Sequence, residues 1–406
     1  MFENLPKEFF SPSASIVDTT DMYFNKTATL AAKEGDPTVT YAVFMRTPII
    51  VAVDLAEEWL RRVYDGDDLI VNRLHEDGTE LPAGRKIMEI TGKFSQLAPM
   101  ETILLQKIGW SCVSAYNAYK QCMALKRSAF MDMHARHATG IDMNICCSYG
   151  ASIGSKTAKR LGAIGFIGSS QTITAPFFGQ KAGMGTMPHA LIGLYSTKYP
   201  DANATVKALM AYTEQFPDES VYTVLVDYFG REITDGIESA KWFNEEFKFN
   251  SNKILAVRLD THGGRWLEGL DWATSVETLK KWTHLGSPDE IFDQAVATIT
   301  PRELMGQDVE KIKDKYLFGT GVTAAAIVRM RKALDDAGFN SVKIVASSGF
   351  NVMKCQIMAN LNIPVDMVGT GSFLPEKTSS TFATADIIRY DDIASVKVGR
   401  EYLLGN

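Results

Sequence analysis

Two stretches share one layout: Val342-Lys343-Ile344-Val345-Ala346-Ser347-Ser348-Gly349 and Val365-Asp366-Met367-Val368-Gly369-Thr370-Gly371-Ser372. Each is a short apolar run ending in small, flexible residues, and helical sequence follows Gly349. Short apolar runs bounded by turn residues read as buried strands. Strand, helix and strand in succession imply parallel pairing through a right-handed crossover. The rhythm extends back to about residue 130. Further runs are Ala129–Asp132, Ala163–Ile167, Gly183–Met187, Val221–Val226 and Lys253–Leu259. Helical patterns at Ser152–Leu161, Ala190–Lys198, Glu232–Phe249 and Val322–Ala337 follow most of them. The whole predicts an incomplete α/β barrel, with an open doubly wound sheet as the alternative.

The first hundred residues differ. Thr38–Arg46 and Arg85–Phe94 are β-rich, with a turn at His75-Glu76-Asp77-Gly78. Thr102–Phe130 is long and apolar-periodic without proline, which predicts a helix with a bend or break near Gly109. Asp386–Tyr390 and Ser395–Val398 resemble short strands again, returning to the N-terminal domain. The expected division is an N-terminal α+β domain over 1–125, a barrel over 126–380 and C-terminal strands over 381–406.

Composition narrows the function classes. Apolar residues make up 46% and charged residues 22%, which suits a globular protein. A net charge of −6 argues against nonspecific nucleic-acid binding. Cys112, Cys122, Cys146, Cys147 and Cys355 form no CxxC pair, which argues against a zinc site of the usual spacing and fits a reducing compartment. Met1–Phe10 has no basic region followed by an apolar run, and no stretch reaches the roughly 18–20 apolar residues of a membrane span. A cytoplasmic enzyme with no membrane partner is expected.

In α/β barrels the active site lies at the carboxyl ends of the strands. Just past the predicted strands come Met133-His134-Ala135-Arg136-His137, Gly168-Ser169-Ser170-Gln171, Pro188-His189, Asp227, Arg258-Leu259-Asp260-Thr261-His262, Ser347-Ser348-Gly349 and Gly369-Thr370-Gly371. Four of the six histidines fall there, although loops at strand ends are polar in any case. Arg258 and Asp260 flank Leu259, so both side chains take the same side of a strand. A structural ion pair is one reading; a clamp on a phosphorylated sugar is the other. The last two loops, Ser348-Gly349 and Gly369-Thr370-Gly371, are expected to hold phosphate through closely approaching backbone amides, with a helix N-terminus beside the first.

In this order, the segments resemble nicotinate phosphoribosyltransferases and their nicotinamide-using relatives. The resemblance rests on Thr20-Asp21-Met22-Tyr23, Asp132–Ala138, Gly168-Ser169-Ser170-Gln171, Gly185-Thr186-Met187-Pro188-His189-Ala190, Val257-Arg258-Leu259-Asp260-Thr261, Val345–Phe350 and Val368–Ser372. It runs from about residue 15 to about 375. Met133, His134, His137 and Pro188 depart from the family pattern, and Asp227-Tyr228-Phe229-Gly230 matches it only in part.

The resemblance implies an irregular barrel, a split N-terminal β domain and a homodimer with shared active sites. It implies transfer of phosphoribosyl from phosphoribosyl pyrophosphate to nicotinate in NAD biosynthesis, with Mg²⁺ as cofactor and ATP as co-substrate. The residues that would hold the metal are not specified. His189 matches the histidine phosphorylated by ATP. Arg258 and Asp260 serve the ring and ribose, with Asp227 and Thr261 beside them. Asp21 and Tyr23 reach into the partner's site, where Tyr23 stacks on the pyridine, and Arg136 lies near its carboxylate. Ser170 stands where nicotinamide users carry an aspartate, which favours the acid substrate. Ser348, Gly349, Gly369, Thr370 and Gly371 hold the 5′-phosphate. The alternatives are a nicotinamide or other pyridine phosphoribosyltransferase, an unrelated sugar-phosphate barrel and a non-catalytic nucleotide-binding paralogue.

Overall fold

The computed structural model describes residues 2–3, 5–10, 15–248, 252–380 and 382–405. The strands are β1 (Thr38–Met45), β2 (Ile49–Ile50), β3 (Ile70–Arg73), β4 (Glu80–Leu81), β5 (Lys86–Lys93), β6 (Ala129–Asp132), β7 (Gly165–Ser169), β8 (Val221–Leu225), β9 (Ile254–Leu259), β10 (Lys343–Ala346), β11 (Met367–Thr370), β12 (Ala383–Tyr390) and β13 (Ile393–Ala394). The chain forms two compact units. One comprises Met1–Cys122, Asp132–Gly183 and Gly371–Asn406; the other comprises Met123–Met131 and Met184–Thr370.

The first unit carries an antiparallel sheet in the order β13-β12-β1-β5-β3. The C-terminal segment therefore completes the N-terminal sheet, with Val39 opposite Tyr390 and Met45 opposite Ala383. Every residue of β1 after Thr38 is buried. Val39, Tyr41, Val43 and Met45 join a large core, while Ala42 and Phe44 join a smaller one with Ile388 and Leu403. Alternate side chains of a strand leave opposite faces, so this strand serves both cores.

The long helix of this unit spans Phe94–Ala124 and contains Pro99. It starts eight residues before the expected Thr102, because the Asp36 carboxylate accepts from the Ser95 amide at 2.9 Å and fixes its first turn. The helix passes Gly109 without a break. A Cβ there would make an ordinary contact, 3.4 Å from the Ala383 amide nitrogen. The helix Ile141–Arg160 packs on this long helix so closely that side chains at Gly150 and Gly154 would clash with the carbonyls of Ser111 and Ala115.

A parallel sheet of six strands runs in the order β7-β6-β11-β10-β9-β8. In the second unit Val224 pairs with Val257, Ile344 with Val257 and Val345 with Met367. Helices His189–Lys198, Glu232–Phe247 and Ala324–Asp336 stand near the expected positions; Phe249, the expected end of the second, lies outside the described residues. The fold is thus a mixed α/β architecture with an N-terminal β domain completed by the C-terminal segment.

Two expected strands are absent. Gly183–Met187 is irregular, because two glycines and a polar threonine leave too little apolar surface for a ladder, and the Thr186 hydroxyl instead receives Arg258 Nη1 at 2.9 Å. Ser395–Val398 is also irregular; the chain turns there, with the Arg400 amide donating to the Lys397 carbonyl, and only Ile393–Ala394 pairs with β12.

Candidate active site

At the end of β8 the chain places Asp227, which is buried. His189 is the first residue of helix His189–Lys198, and its Nε2 lies 3.0 Å and 3.2 Å from the two Asp227 oxygens. The imidazole is 47% exposed, so the pair joins a buried carboxylate to an accessible ring. A carboxylate on Nε2 holds the tautomer with hydrogen there and leaves Nδ1 with its lone pair. Below this pair, Arg265 Nη2 donates to the Asp227 carbonyl at 2.8 Å and also binds the fully buried Glu232 carboxylate. Glu232 in turn accepts from the Thr261 hydroxyl at 2.9 Å. Thr261 is buried and braces the ends of β8 and β9 through this acid.

On β9 the Arg258 guanidinium forks to three groups. Nη2 donates to Asp260 Oδ2 at 2.7 Å, Nε to Ser347 Oγ at 3.1 Å and Nη1 to Thr186 Oγ1 at 2.9 Å. Ser347 Oγ donates to Asp260 Oδ1 at 2.8 Å. Arg258 and Asp260 therefore share a side, as strand alternation requires, and Asp260 neutralises the arginine.

After β10 the backbone turns through two positive φ angles, Ser348 at 77° and Gly349 at 68°. Both residues are exposed, and helix Val352–Asn360 follows, capped by the Asn351 side chain. Underneath, the buried Lys354 Nζ donates to the Ser348 carbonyl at 2.9 Å. Burial pushes its amine down to about 7. Gly369 and Thr370 end β11 and are buried.

Asp21, Tyr23, Arg136, Ser170 and Gly371 belong to the first unit. Asp21 precedes helix Met22–Lys33 and accepts from the Tyr23 hydroxyl at 3.1 Å and the Thr102 hydroxyl at 3.3 Å. Arg136 and Ser170 are exposed; the Ser170 amide donates to the Asp132 carbonyl at 2.8 Å. Gly371 packs so tightly that a side chain would meet the His137 ring at 2.9 Å. Partial burial and the Arg136 charge hold the His137 imidazole below its usual value.

The strand-end histidines have separate fates. His134 is fully buried, with Nδ1 2.7 Å from Asp132 Oδ1, and Asp132 also accepts from the Ser148 hydroxyl. Burial alone would raise this carboxyl, but the imidazole and its hydrogen bonds outweigh it and lower the value. His262 Nδ1 accepts from the Gly264 amide at 3.0 Å. The sequence reading did not single out Thr186, Glu232, Arg265, Ser347 or Lys354 as functional. Ser347 and Thr186 lie within segments that carry other candidates, Lys354 acts on Ser348 six residues away, and the roles of Glu232 and Arg265 depend on contacts distant in sequence. Among the described residues no group of three or more His, Cys, Asp or Glu could hold a metal ion, and no helix is long and apolar enough to cross a membrane.

Residues 21–112 match the family described as "Quinolinate phosphoribosyl transferase, N-terminal domain". No curated protein matches. Among solved structures, nicotinate-nucleotide pyrophosphorylase from Pyrococcus furiosus superposes with TM-score 0.62 at 21% identity, over 97% of this chain and 79% of that one. Human nicotinic acid phosphoribosyltransferase gives TM-score 0.60 at 15% identity, over 93% and 75%. NadC from Streptococcus pyogenes gives 0.52 at 12%, over 93% and 98%. The chain therefore has the fold found in these solved structures, among them a nicotinic acid phosphoribosyltransferase.

Proposed function

We propose that the chain is a nicotinate phosphoribosyltransferase of NAD biosynthesis, making nicotinate mononucleotide and pyrophosphate from nicotinate and phosphoribosyl pyrophosphate. The observation that supports it is the Arg258–Asp260–Ser347 cluster at the ends of β9 and β10, flanked in the sheet order by the His189–Asp227 pair after β8. The family match and the structural likeness support a phosphoribosyltransferase more broadly.

In this reaction the bond from ribose C1 to the pyrophosphate oxygen breaks and its electron pair leaves with pyrophosphate. The pyridine nitrogen donates its lone pair to C1. The state between them resembles an oxocarbenium ion, so positioning and charge stabilisation dominate. Asp260, held by Arg258 and Ser347, is fixed for ribose hydroxyls. The Ser348–Gly349 turn suits the 5′-phosphate. Magnesium would enter with the pyrophosphate substrate and neutralise its charge, with Asp227 and Asp260 as the carboxylates at hand for its water shell.

The same pair supports ATP coupling as part of this reading. With Asp227 on Nε2, His189 Nδ1 is the nucleophile: it takes the γ-phosphoryl group as ADP leaves, and water later attacks that phosphorus, breaking the N–P bond and releasing inorganic phosphate. The shared-site homodimer belongs to this reading.

The test is direct. The protein is incubated with nicotinate, phosphoribosyl pyrophosphate and Mg²⁺, with and without ATP, and nicotinate mononucleotide is followed. Parallel reactions contain nicotinamide or quinolinate. Quinolinate is a second reading because of the match over residues 21–112. It carries an additional carboxylate, which must leave as carbon dioxide if the same mononucleotide forms. In the second unit Arg258 is already neutralised by Asp260 and Arg265 is bound to Glu232, which favours the monocarboxylate. Product from none of the three pyridines would overturn the assignment.

A further inference from the structure

Lys354 is 4% exposed, sits in the first turn of helix Val352–Asn360 and donates to the carbonyl of Ser348, six residues earlier. Its ammonium also lies 4.2 Å from the centre of the Phe350 ring. A buried amine, charged or neutral, is costly without an acceptor, so its hydrogen bond to this carbonyl holds the two groups together. That carbonyl belongs to a non-glycine residue in the left-handed region, at φ 77°, followed by Gly349 at 68°. Such a conformation persists only where the surrounding structure over-determines it. Among the described residues the amides of Ser348 and Gly349 donate to no backbone acceptor, and both residues are exposed. From the other side, Asn351 Nδ2 donates to the Tyr316 hydroxyl at 3.2 Å. The loop is thus pinned at its carbonyl by Lys354 and at its far end by Asn351, with its amides left available.

We propose that Lys354 is a positioning residue of the phosphate loop: it locks the Ser348 carbonyl so that the Ser348 and Gly349 amides stay available to a phosphate monoester. It acts through the loop, and it rests on the phosphoribosyl reading only for the identity of the full substrate. Ribose 5-phosphate is therefore the probe, because its binding requires neither the pyridine assignment nor ATP coupling.

The experiment compares wild type, Lys354→Met and Lys354→Gln. Methionine matches the shape without the donor; glutamine keeps a shorter, neutral donor. Calorimetry should show ribose 5-phosphate binding about tenfold weaker in the methionine variant, with an intermediate loss for glutamine. The KM for phosphoribosyl pyrophosphate should rise in step, while kcat and the KM for nicotinate stay within about threefold. Unchanged ribose 5-phosphate binding in a folded methionine variant overturns the proposal, as does absence of binding in wild type or a glutamine variant as weak as methionine. Should the methionine variant fail to fold, the glutamine variant must itself bind more weakly than wild type, and equal binding counts against the role. If transfer to every pyridine fails but ribose 5-phosphate binding still follows this order, the functional reading falls and the role of Lys354 stands.

Discussion

His189 Nε2 lies 3.0 Å from Asp227 Oδ2, with the acid buried and the ring half exposed. If His189 is the phosphoryl acceptor proposed above, Nδ1 is its nucleophile and Asp227 stabilises positive charge on the ring. His189→Ala should remove phosphohistidine and ATP stimulation while leaving some ATP-independent transfer. Asp227→Asn keeps an acceptor but loses the charge. A charge-assisted hydrogen bond is worth about 1.5–3 kcal/mol, so autophosphorylation should slow roughly ten- to a hundredfold. Acid-labile labelling by γ-labelled ATP reads both. Full ATP stimulation of the alanine variant would refute the assignment.

Arg258 separates a clamp from a mere ion pair. Its three donors meet Asp260, Ser347 and Thr186, a planar fork that lysine cannot reproduce. Arg258→Lys should lower kcat/KM by roughly ten- to a hundredfold, because the ammonium keeps the charge but cannot reach Asp260, Ser347 and Thr186 together, and Asp260 loses its fixed orientation. A lysine variant with wild-type kinetics would reduce the cluster to a structural pair.

The alternation of short apolar runs with helices was legible because parallel strands buried on both faces are nearly continuous in apolar residues. The failures have physical causes. Gly183–Met187 has the length of a strand, yet Thr186 is committed to Arg258, 72 residues away. The expected bend at Gly109 assumed that glycine weakens a helix, whereas the helix runs unbroken through it. Within the site, Arg258 and Asp260 could be paired from strand alternation alone. Glu232 and Arg265 could not, because their roles arise where the ends of β8 and β9 meet. By position at a strand end His134 and His189 were alike; the resemblance set them apart, and the burial of His134 against Asp132 separates them physically.

Tyr23 tests the shared-site reading. Its ring is exposed at the start of helix Met22–Lys33, and Met22 and Leu30 of the same helix are exposed as well. If Tyr23 stacks on the pyridine of a partner's site, Tyr23→Ala should raise the KM for nicotinate about three- to tenfold, the loss of an aromatic contact worth about 0.5–1.5 kcal/mol. Mixing Tyr23→Ala chains with Arg258→Ala chains should restore part of the activity, since one site of the mixed dimer would be intact. No recovery in verified mixed dimers would remove the shared site.

The cysteines should be chemically silent. All five are buried, and burial pushes the thiols of Cys112 and Cys146 up to about 12. Thiolate is the reactive form, so little is present at neutral pH. Native protein should release almost no thionitrobenzoate from Ellman's reagent, and denatured protein five equivalents. Rapid labelling of the native chain would show that these helices open readily.

Lys354 also predicts a pH dependence of stability. Burial lowers its folded value to about 7, reinforced by the Lys315 charge and opposed by Cys355, against 10.5 for a free lysine. Between these values the unfolded chain holds a proton that the folded chain lacks, so this lysine makes stability rise with pH across that window. Below about 7 both states are protonated and the full cost of the buried charge applies; above about 10.5 both are neutral and the cost is gone. The slope from one group is at most about 1.4 kcal/mol per pH unit. Urea unfolding of wild type and Lys354→Met at several pH values isolates it, because the other groups are common to both chains. The variant should be the more stable near neutral pH, and its advantage should shrink towards pH 10. An advantage that stays constant or grows with pH would mean that Lys354 remains charged in the folded chain throughout.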